Sequence, residues 1–89
     1  MSNKPLNKNE ADVKSCLETM IKFLGVDSAR VEFIDNKHGR KSFEVYTESE
    51  DRGKIIGRDG RNVNSLHTIL NAFAKQRGVI FSGIHLNDD

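Results

Sequence analysis

The sequence predicts an α+β domain in which three helices cover one face of a three-stranded sheet. Three observations lead to this class. Apolar residues recur at helical spacing in two long segments, apolar and polar residues alternate in shorter ones, and glycines mark several boundaries. The predicted order is helix, strand, strand, helix, a Gly-x-x-Gly loop, helix and strand. No internal repeat divides the sequence.

The first helix is predicted to run from Asn9 to Gly25. Asn9 suits the N-cap because its side chain can accept a hydrogen bond from a free backbone N–H, and Gly25 suits the C-terminal stop. Four apolar residues are expected on its buried face: Val13, Leu17, Met20 and Leu24. Residues 1–8 hold the only proline and are predicted to form a flexible tail, so the single domain should span residues 9–87.

Two strands are predicted where residues alternate, over 29–35 and 41–47. The stretch between them, Asn36-Lys37-His38-Gly39, is typical of a turn and makes the pair an antiparallel hairpin. The residues expected to pack against the helices are Val31, Phe33, Phe43 and Val45, which leaves Glu32, Glu44 and Tyr46 outside.

A short second helix is predicted from an N-cap at Ser49 to a stop at Gly57. A longer third helix follows Gly60 and ends at Gly78. Its core side should carry Val63, Leu66, Ile69, Leu70 and Phe73. The last strand is predicted over 79–86, with Ile80, Ile84 and Leu86 as its core residues.

Length and composition limit what the chain can do. At 89 residues, with 36% hydrophobic and 30% charged residues, there is room for one domain with a small core and a single binding surface. The start MSNKPLNKNE lacks the apolar stretch of a signal peptide, and no later apolar run is long enough to span a bilayer. Cys16 is the only cysteine, so an internal disulfide is excluded. We therefore expect a cytoplasmic protein without membrane contact.

Positive charge is concentrated in residues 52–77. Against one acidic residue, Asp59, this segment holds six basic ones: Arg52, Lys54, Arg58, Arg61, Lys75 and Arg77. An excess of this kind either marks a docking surface for a polyanion or is simply a solvated helix face.

The stretch KIIGRDGRNV raises the main functional question. It has neither the Walker spacing nor the third glycine of a dinucleotide fingerprint. What remains is a loop of two glycines between two helices, where Gly57 can adopt a left-handed conformation and Gly60 lets a ligand backbone approach. Lys54, Arg58 and Arg61 supply positive charge, so a sugar-phosphate strand is a matched ligand. A tight helix–turn–helix corner is the alternative explanation.

Catalytic or metal-binding constellations are not evident. The histidines His38, His67 and His85 lie in a turn, a helix and a strand, without the paired spacing of zinc ligands. We therefore expect no enzyme activity, no metal site, no cofactor and no small-molecule substrate.

The residues Ile55-Ile56-Gly57-Arg58-Asp59-Gly60-Arg61, followed by Val63 and Leu66, resemble the signature of KH domains. The helix and strand that precede this core resemble the type II arrangement, and the region from Glu50 to Arg61 is similar to the KhpA family of small bacterial single-KH proteins. This resemblance implies a protein that binds single-stranded RNA, acts as an RNA chaperone, pairs with itself or with a second KH protein of the KhpB kind, and influences cell elongation.

The resemblance also implies roles for individual residues. It makes Gly57, Arg58, Asp59 and Gly60 the backbone clamp for a few nucleotides, with Ile55, Ile56 and Val63 lining the groove. Lys54 and Arg61 are added to the site because of their charge. Asp59 would repel phosphate, and we expect it to cap the following helix instead. We expect Gly57→Asp to abolish RNA binding without unfolding the domain.

Two alternatives stay open. The fold could serve mainly as a pairing module whose partner supplies most of the nucleic-acid contact. Single-stranded DNA could replace RNA, because a backbone clamp of this kind does not need the 2′-hydroxyl.

Overall fold

A computed structural model describes residues 6–35 and 40–88, and it has the predicted α+β class. Three α-helices, three strands and one turn of 3-10 helix occur in these ranges. In chain order they are α1 (Lys8–Phe23), β1 (Arg30–Asp35), β2 (Lys41–Thr47), α2 (Ser49–Ile56), the 3-10 turn (Arg58–Gly60), α3 (Arg61–Gln76) and β3 (Gly83–Asp88). The sheet order is β1-β2-β3, with β1 and β2 antiparallel and β2 and β3 parallel.

Helix α1 begins at Lys8 and is capped by Asn7, so the prediction of Asn9 as the cap is wrong. The side chain of Asn7 accepts a hydrogen bond from Glu10 N–H at 2.8 Å, and the backbone N–H of Asn7 donates to Glu10 Oε1 at 3.1 Å. Glu10 stands three residues after Asn7, which is the spacing that a reciprocal capping box requires. The helix therefore begins one residue before the predicted domain boundary, while residues 1–5 of the predicted tail lie outside the described part of the chain.

The hairpin has the predicted antiparallel pairing and faces. Val31 pairs with Val45 and Phe33 with Phe43, and these four residues are buried or packed against the core, as predicted. Glu32 lies opposite Glu44 on the other face. The predicted turn, residues 36–39, lies outside the described residues.

Helix α2 begins next to β2, but Ser49 is not its cap. Glu48 occupies the N-cap position and makes no side-chain capping bond. The start of the helix is tied to the fold through Ser28 instead. Its hydroxyl lies 3.1 Å from the fully buried Thr47 hydroxyl and donates to Asp51 Oδ2 at 2.8 Å. Hydrogen bonds through Ser28 thus connect the end of β2 to the first turn of α2.

The last strand is shorter than predicted and its core residues differ in part. Val79 and Phe81 are buried, whereas Ile80 is 84% exposed, so the prediction of Ile80 as a core residue is wrong. The predicted core residues Ile84 and Leu86 do pack against the core. The inward face therefore changes from odd-numbered to even-numbered residues between Phe81 and Ile84.

A contact with β2 accompanies this change of face. Both the N–H and the hydroxyl of Ser82 donate to the Lys41 carbonyl, at 2.6 and 3.1 Å, and the ladder with β2 begins at the next residue, Gly83. The bond from Ser82 to Lys41 therefore marks a boundary. Residues 79–82, the lead-in to β3, precede the ladder, and the paired strand follows.

The core is formed between the helices and one face of the sheet. Helix α3 contributes Leu66, Leu70 and Ala74, at a spacing of four residues, but Ile69 is 55% exposed and is wrongly predicted as a core residue. Two ion pairs also hold the start of α1: Arg77 Nη1 lies 2.8 Å from Asp12, and Lys41 Nζ lies 3.4 Å from Glu10. Cys16 packs at the core edge, and burial raises the pKa of its thiol.

The described residues include no helix that is both long enough and apolar enough to cross a lipid bilayer.

Candidate nucleic-acid interface

The loop between α2 and α3 has an unusual backbone. Three of its four residues have positive φ: Gly57 at 73°, Asp59 at 55° and Gly60 at 75°. Gly57 combines this φ with ψ of 175°, so it is not in the predicted left-handed helical region but in an extended region that is essentially limited to glycine. Gly60, with ψ of 14°, is left-handed and serves as the N-cap position of α3.

Internal hydrogen bonds hold the loop against both helices. Gly57 N–H donates to the Gly53 carbonyl at 2.8 Å, which closes α2, and Gly60 N–H donates to the Gly57 carbonyl at 3.2 Å. Arg61 N–H donates to the Arg58 carbonyl as α3 begins. The loop is thus a compact turn that joins two helices within four residues.

Asn62 is a loop-supporting residue that the sequence did not reveal. Its Nδ2 donates to the Lys54 carbonyl at 2.9 Å and so connects the first turn of α3 to the last turn of α2. Its side chain also lies directly over Gly57, because a Cβ placed on Gly57 would be 2.6 Å from Asn62 Cγ. An asparagine near the start of a helix is the only sequence signal, and it does not reveal a contact across eight residues.

The packing of Asn62 corrects one expectation. A side chain on Gly57 would collide with Asn62 and would also require a backbone conformation that residues other than glycine avoid. Gly57→Asp is therefore expected to disturb the loop itself. A loss of RNA binding in this variant would not show whether the added charge or the disturbed loop caused it. Gly60 is the better position, since a Cβ there would meet only Asn64 Nδ2, at 3.8 Å.

The positive charges of the site are accessible. Arg58 and Arg61 are exposed, and neither makes an ion pair with another residue in the ranges 6–35 and 40–88. Lys54 is exposed as well, with its Nζ 3.4 Å from Asp51 Oδ1. Two exposed guanidinium groups therefore stand beside the loop without an ion-pair partner in the part of the chain that the structure describes.

The prediction that Asp59 caps α3 is wrong. It is exposed, and no side-chain capping bond is present at the start of α3 or of the 3-10 turn. Its positive φ is a conformation that aspartate tolerates better than most residues. The start of α3 thus keeps its positive dipole end free of a side-chain cap, with one carboxylate beside it.

The apolar residues of the predicted groove divide into two kinds. Ile55 is fully buried and belongs to the core, so its side chain does not line a surface groove, contrary to expectation. Ile56 and Val63 are half-buried, one on each side of the loop. Of two neighbouring isoleucines, the first therefore anchors α2 and the second remains partly accessible.

Other candidate sites do not coincide with the loop. A cavity of about 490 Å³ lies at the other end of α3, where its lining includes Arg77, Lys41 and Glu10 but no residue of the loop. No cluster of three or more potential metal-ligating side chains occurs in the described part of the chain. The loop is therefore an open surface with exposed cations, a shape that suits an extended anionic chain.

The element order, the mixed sheet and the Gly-x-x-Gly loop between α2 and α3 define this chain as a KH-domain protein. The family described as "KhpA/KhpB, KH domain" matches residues 14–81 of the 89, and the chain belongs to this family.

Individual relatives agree with this assignment. The RNA-binding protein KhpA of Mycobacterium tuberculosis (strain ATCC 25618 / H37Rv) is 41% identical over 44 residues, which are 49% of this chain and 54% of that protein. The RNA-binding protein KhpA of Thermotoga maritima is 40% identical over 37 residues, which are 42% of this chain and 49% of that protein. The matches thus span about half the length of these relatives.

Proposed function

We propose that this protein binds single-stranded RNA and holds the backbone of a few nucleotides at the loop Gly57–Gly60. The observation that carries the proposal is the loop at the uncapped start of α3, beside which the guanidinium groups of Arg58 and Arg61 are exposed and have no ion-pair partner among the described residues. Arginines are among the usual donors to phosphate, and they are the main donors here because the N–H groups of Gly57, Gly60 and Arg61 already bind backbone carbonyls. Membership of a family whose named relatives are RNA-binding proteins supports RNA as the polyanion.

The proposal includes the rest of the predicted site. Ile56 and Val63 offer half-buried apolar surface beside the clamp, against which unstacked bases can lie, and Lys54 extends the positive charge along α2. Asp59 lowers the affinity by opposing phosphate, so the site favours weak, sequence-tolerant binding. A cytoplasmic RNA chaperone that holds and releases many strands would need binding of this kind.

Two substitutions at Gly60 test the clamp. Asparagine and aspartate are the residues that adopt a left-handed conformation most readily after glycine, so Gly60→Asn and Gly60→Asp carry similar backbone strain and nearly equal bulk. Only the aspartate adds a negative charge where phosphate should lie. We expect Gly60→Asp to bind a short single-stranded RNA at least about fivefold more weakly than Gly60→Asn, which is roughly the effect of one exposed charge pair.

The readout is a fluorescence-anisotropy titration, with thermal unfolding measured on the same samples. Equal affinities for wild type and both variants would refute the clamp. A wild-type protein that binds no single-stranded RNA would refute the function. A parallel titration with DNA of the same sequence tests the alternative ligand, and a strand-annealing assay tests the chaperone activity.

Pairing with a second copy, or with a second KH protein such as KhpB, is the other candidate function. The surface proposed for pairing is the solvent side of α3, where Ile69 is 55% exposed. Doubling a weak site would also raise its effective affinity.

Light scattering tests the pairing with a matched substitution. Ile69→Lys should lower the average mass at a given concentration, because it buries a charge in the interface. Ile80→Lys is the control. Ile80 is even more exposed than Ile69, but it lies in the lead-in to β3 and not on α3, so this substitution should leave the average mass unchanged. A monomeric wild-type protein at every concentration would rule out self-pairing.

A further inference from the structure

His67 is an exposed side chain on α3 to which the clamp gives no role. It follows Gly60 by seven residues, and residues at that spacing share one face of a helix. At 1.5 Å per residue the two positions are about 10 Å apart along the axis. Val63 stands one turn before His67 and is half-buried. The imidazole therefore lies on the same helix face as Gly60 and Val63, one turn beyond Val63.

The His67 ring is supported from behind by other aromatic rings. Its centroid is 5.5 Å from that of Phe81, at an interplanar angle of 61°. Phe81 in turn meets the fully buried Phe43 at 5.2 Å, and Phe43 meets Phe33 at 4.7 Å. This chain of rings reaches from the core of the sheet to the surface and ends at His67.

The polar atoms of His67 have no partner among the residues that the structure describes. In residues 6–35 and 40–88 it makes neither a hydrogen bond nor an ion pair, in contrast to His85, whose Nδ1 lies 2.9 Å from Glu44 Oε2. The imidazole is thus positioned by packing alone and keeps exposed surface for a ligand. An exposed ring that is already supported loses little conformational entropy when a second ring stacks on it.

We propose that His67 is a base-stacking residue, which receives one unpaired nucleobase of the strand whose phosphates are held at the loop. This inference rests on the proposed function. Histidine is among the side chains on which splayed bases stack in single-stranded RNA complexes. Every base offers a π face, so such a contact adds affinity with little sequence selectivity. The site would then consist of a backbone clamp at one end and an aromatic platform about two helical turns away.

Three variants separate stacking from other roles. His67→Ala should weaken binding of a short mixed-sequence RNA about five- to tenfold, at the lower end of what one stacked base contributes. His67→Phe keeps an aromatic face and should stay within about twofold of wild type. His85→Ala removes a histidine that is exposed on the opposite face of the sheet and should change nothing.

An abasic scan identifies the partner of His67. One position of the RNA, when abasic, should weaken wild-type binding as much as His67→Ala does. The same strand should then bind the variant without further loss, since the two changes remove one interaction.

The outcomes distinguish this inference from the clamp. If His67→Ala binds like wild type while Gly60→Asp is impaired, stacking is refuted and the clamp remains. If wild type does not bind RNA, both proposals fail. If His67→Ala does not fold, NMR of the wild-type protein tests the inference instead. Saturation with RNA should shift the proton signals of the His67 ring upfield, and unshifted signals would overturn the inference.

Discussion

The Asn62 side chain lies over Gly57, which stands five positions earlier in the chain and on the other side of the turn. The Asn62 amide donates to the Lys54 carbonyl, one of the last carbonyls of α2, and its side chain covers the Gly57 Cα. The first contact satisfies an acceptor that a helix end leaves open, and the second explains why this position has no side chain. We therefore propose that Asn62 is a positioning residue, which supports the loop of the proposed clamp without itself touching RNA.

Asn62→Ala tests this role. The loss of one partly exposed hydrogen bond costs about 1 kcal/mol, and the higher helix propensity of alanine offsets part of it, so the melting temperature should fall by a few degrees at most. We expect faster amide hydrogen exchange at Arg58, Asp59 and Gly60 in the absence of RNA, and RNA binding about three- to tenfold weaker, because ordering the loop is then left to the ligand.

Asn71→Ala is the matched control for this prediction. It makes the same change in the same helix, more than two turns farther from the loop. Loop amides that exchange at the same rate in Asn62→Ala and wild type would show that the glycines order the loop without help.

The elements differ in how far the local sequence determines them. The spacing of Val13 and Leu17 on α1, and the alternation of Phe43 and Val45 on β2, predicted both elements with the correct buried face, because one repeating pattern covers each whole element. The predicted last strand, residues 79–86, follows no single alternation. Its inward face changes next to Ser82, where a long-range bond to Lys41 intervenes, and local periodicity does not contain that contact.

The candidate site was predictable to a similar degree. Two glycines at fixed spacing between helical patterns indicated the loop, and the nearby cations indicated an anionic ligand. The sequence did not show that Ile55 is buried and Ile56 partly accessible. In a short helix, tertiary packing determines which of two adjacent apolar residues faces the core. The contact of Asn62 with Gly57 was missed for the same reason: it joins two helices whose relative placement only the fold defines.

On the scale of the whole molecule, the positive charge of residues 52–77 is not spread evenly. Arg77 is paired with Asp12, and Lys54 lies near Asp51, whereas Arg58 and Arg61 are exposed without such partners in the described ranges. Lys75 is also exposed, but it stands fourteen residues after Arg61, about 21 Å along α3. The charge available to a strand held at the loop therefore comes mainly from one end of the helix.

The salt dependence of RNA binding should reveal this uneven distribution. Three or four phosphate contacts at about 0.7 released counterions each predict a log–log slope of about −2 to −3 for a short single strand. The double variant Arg58→Gln and Arg61→Gln should reduce the slope by about 1.4, which corresponds to two lost contacts.

Lys75→Gln removes a charge from the far end of α3 and should leave the slope of a short strand unchanged. If Lys75→Gln lowers the slope as much per charge as the loop variant does, binding follows the general positive field of the helix. A slope that falls only when the loop arginines are removed would instead mean that the phosphates lie at Gly57–Gly60.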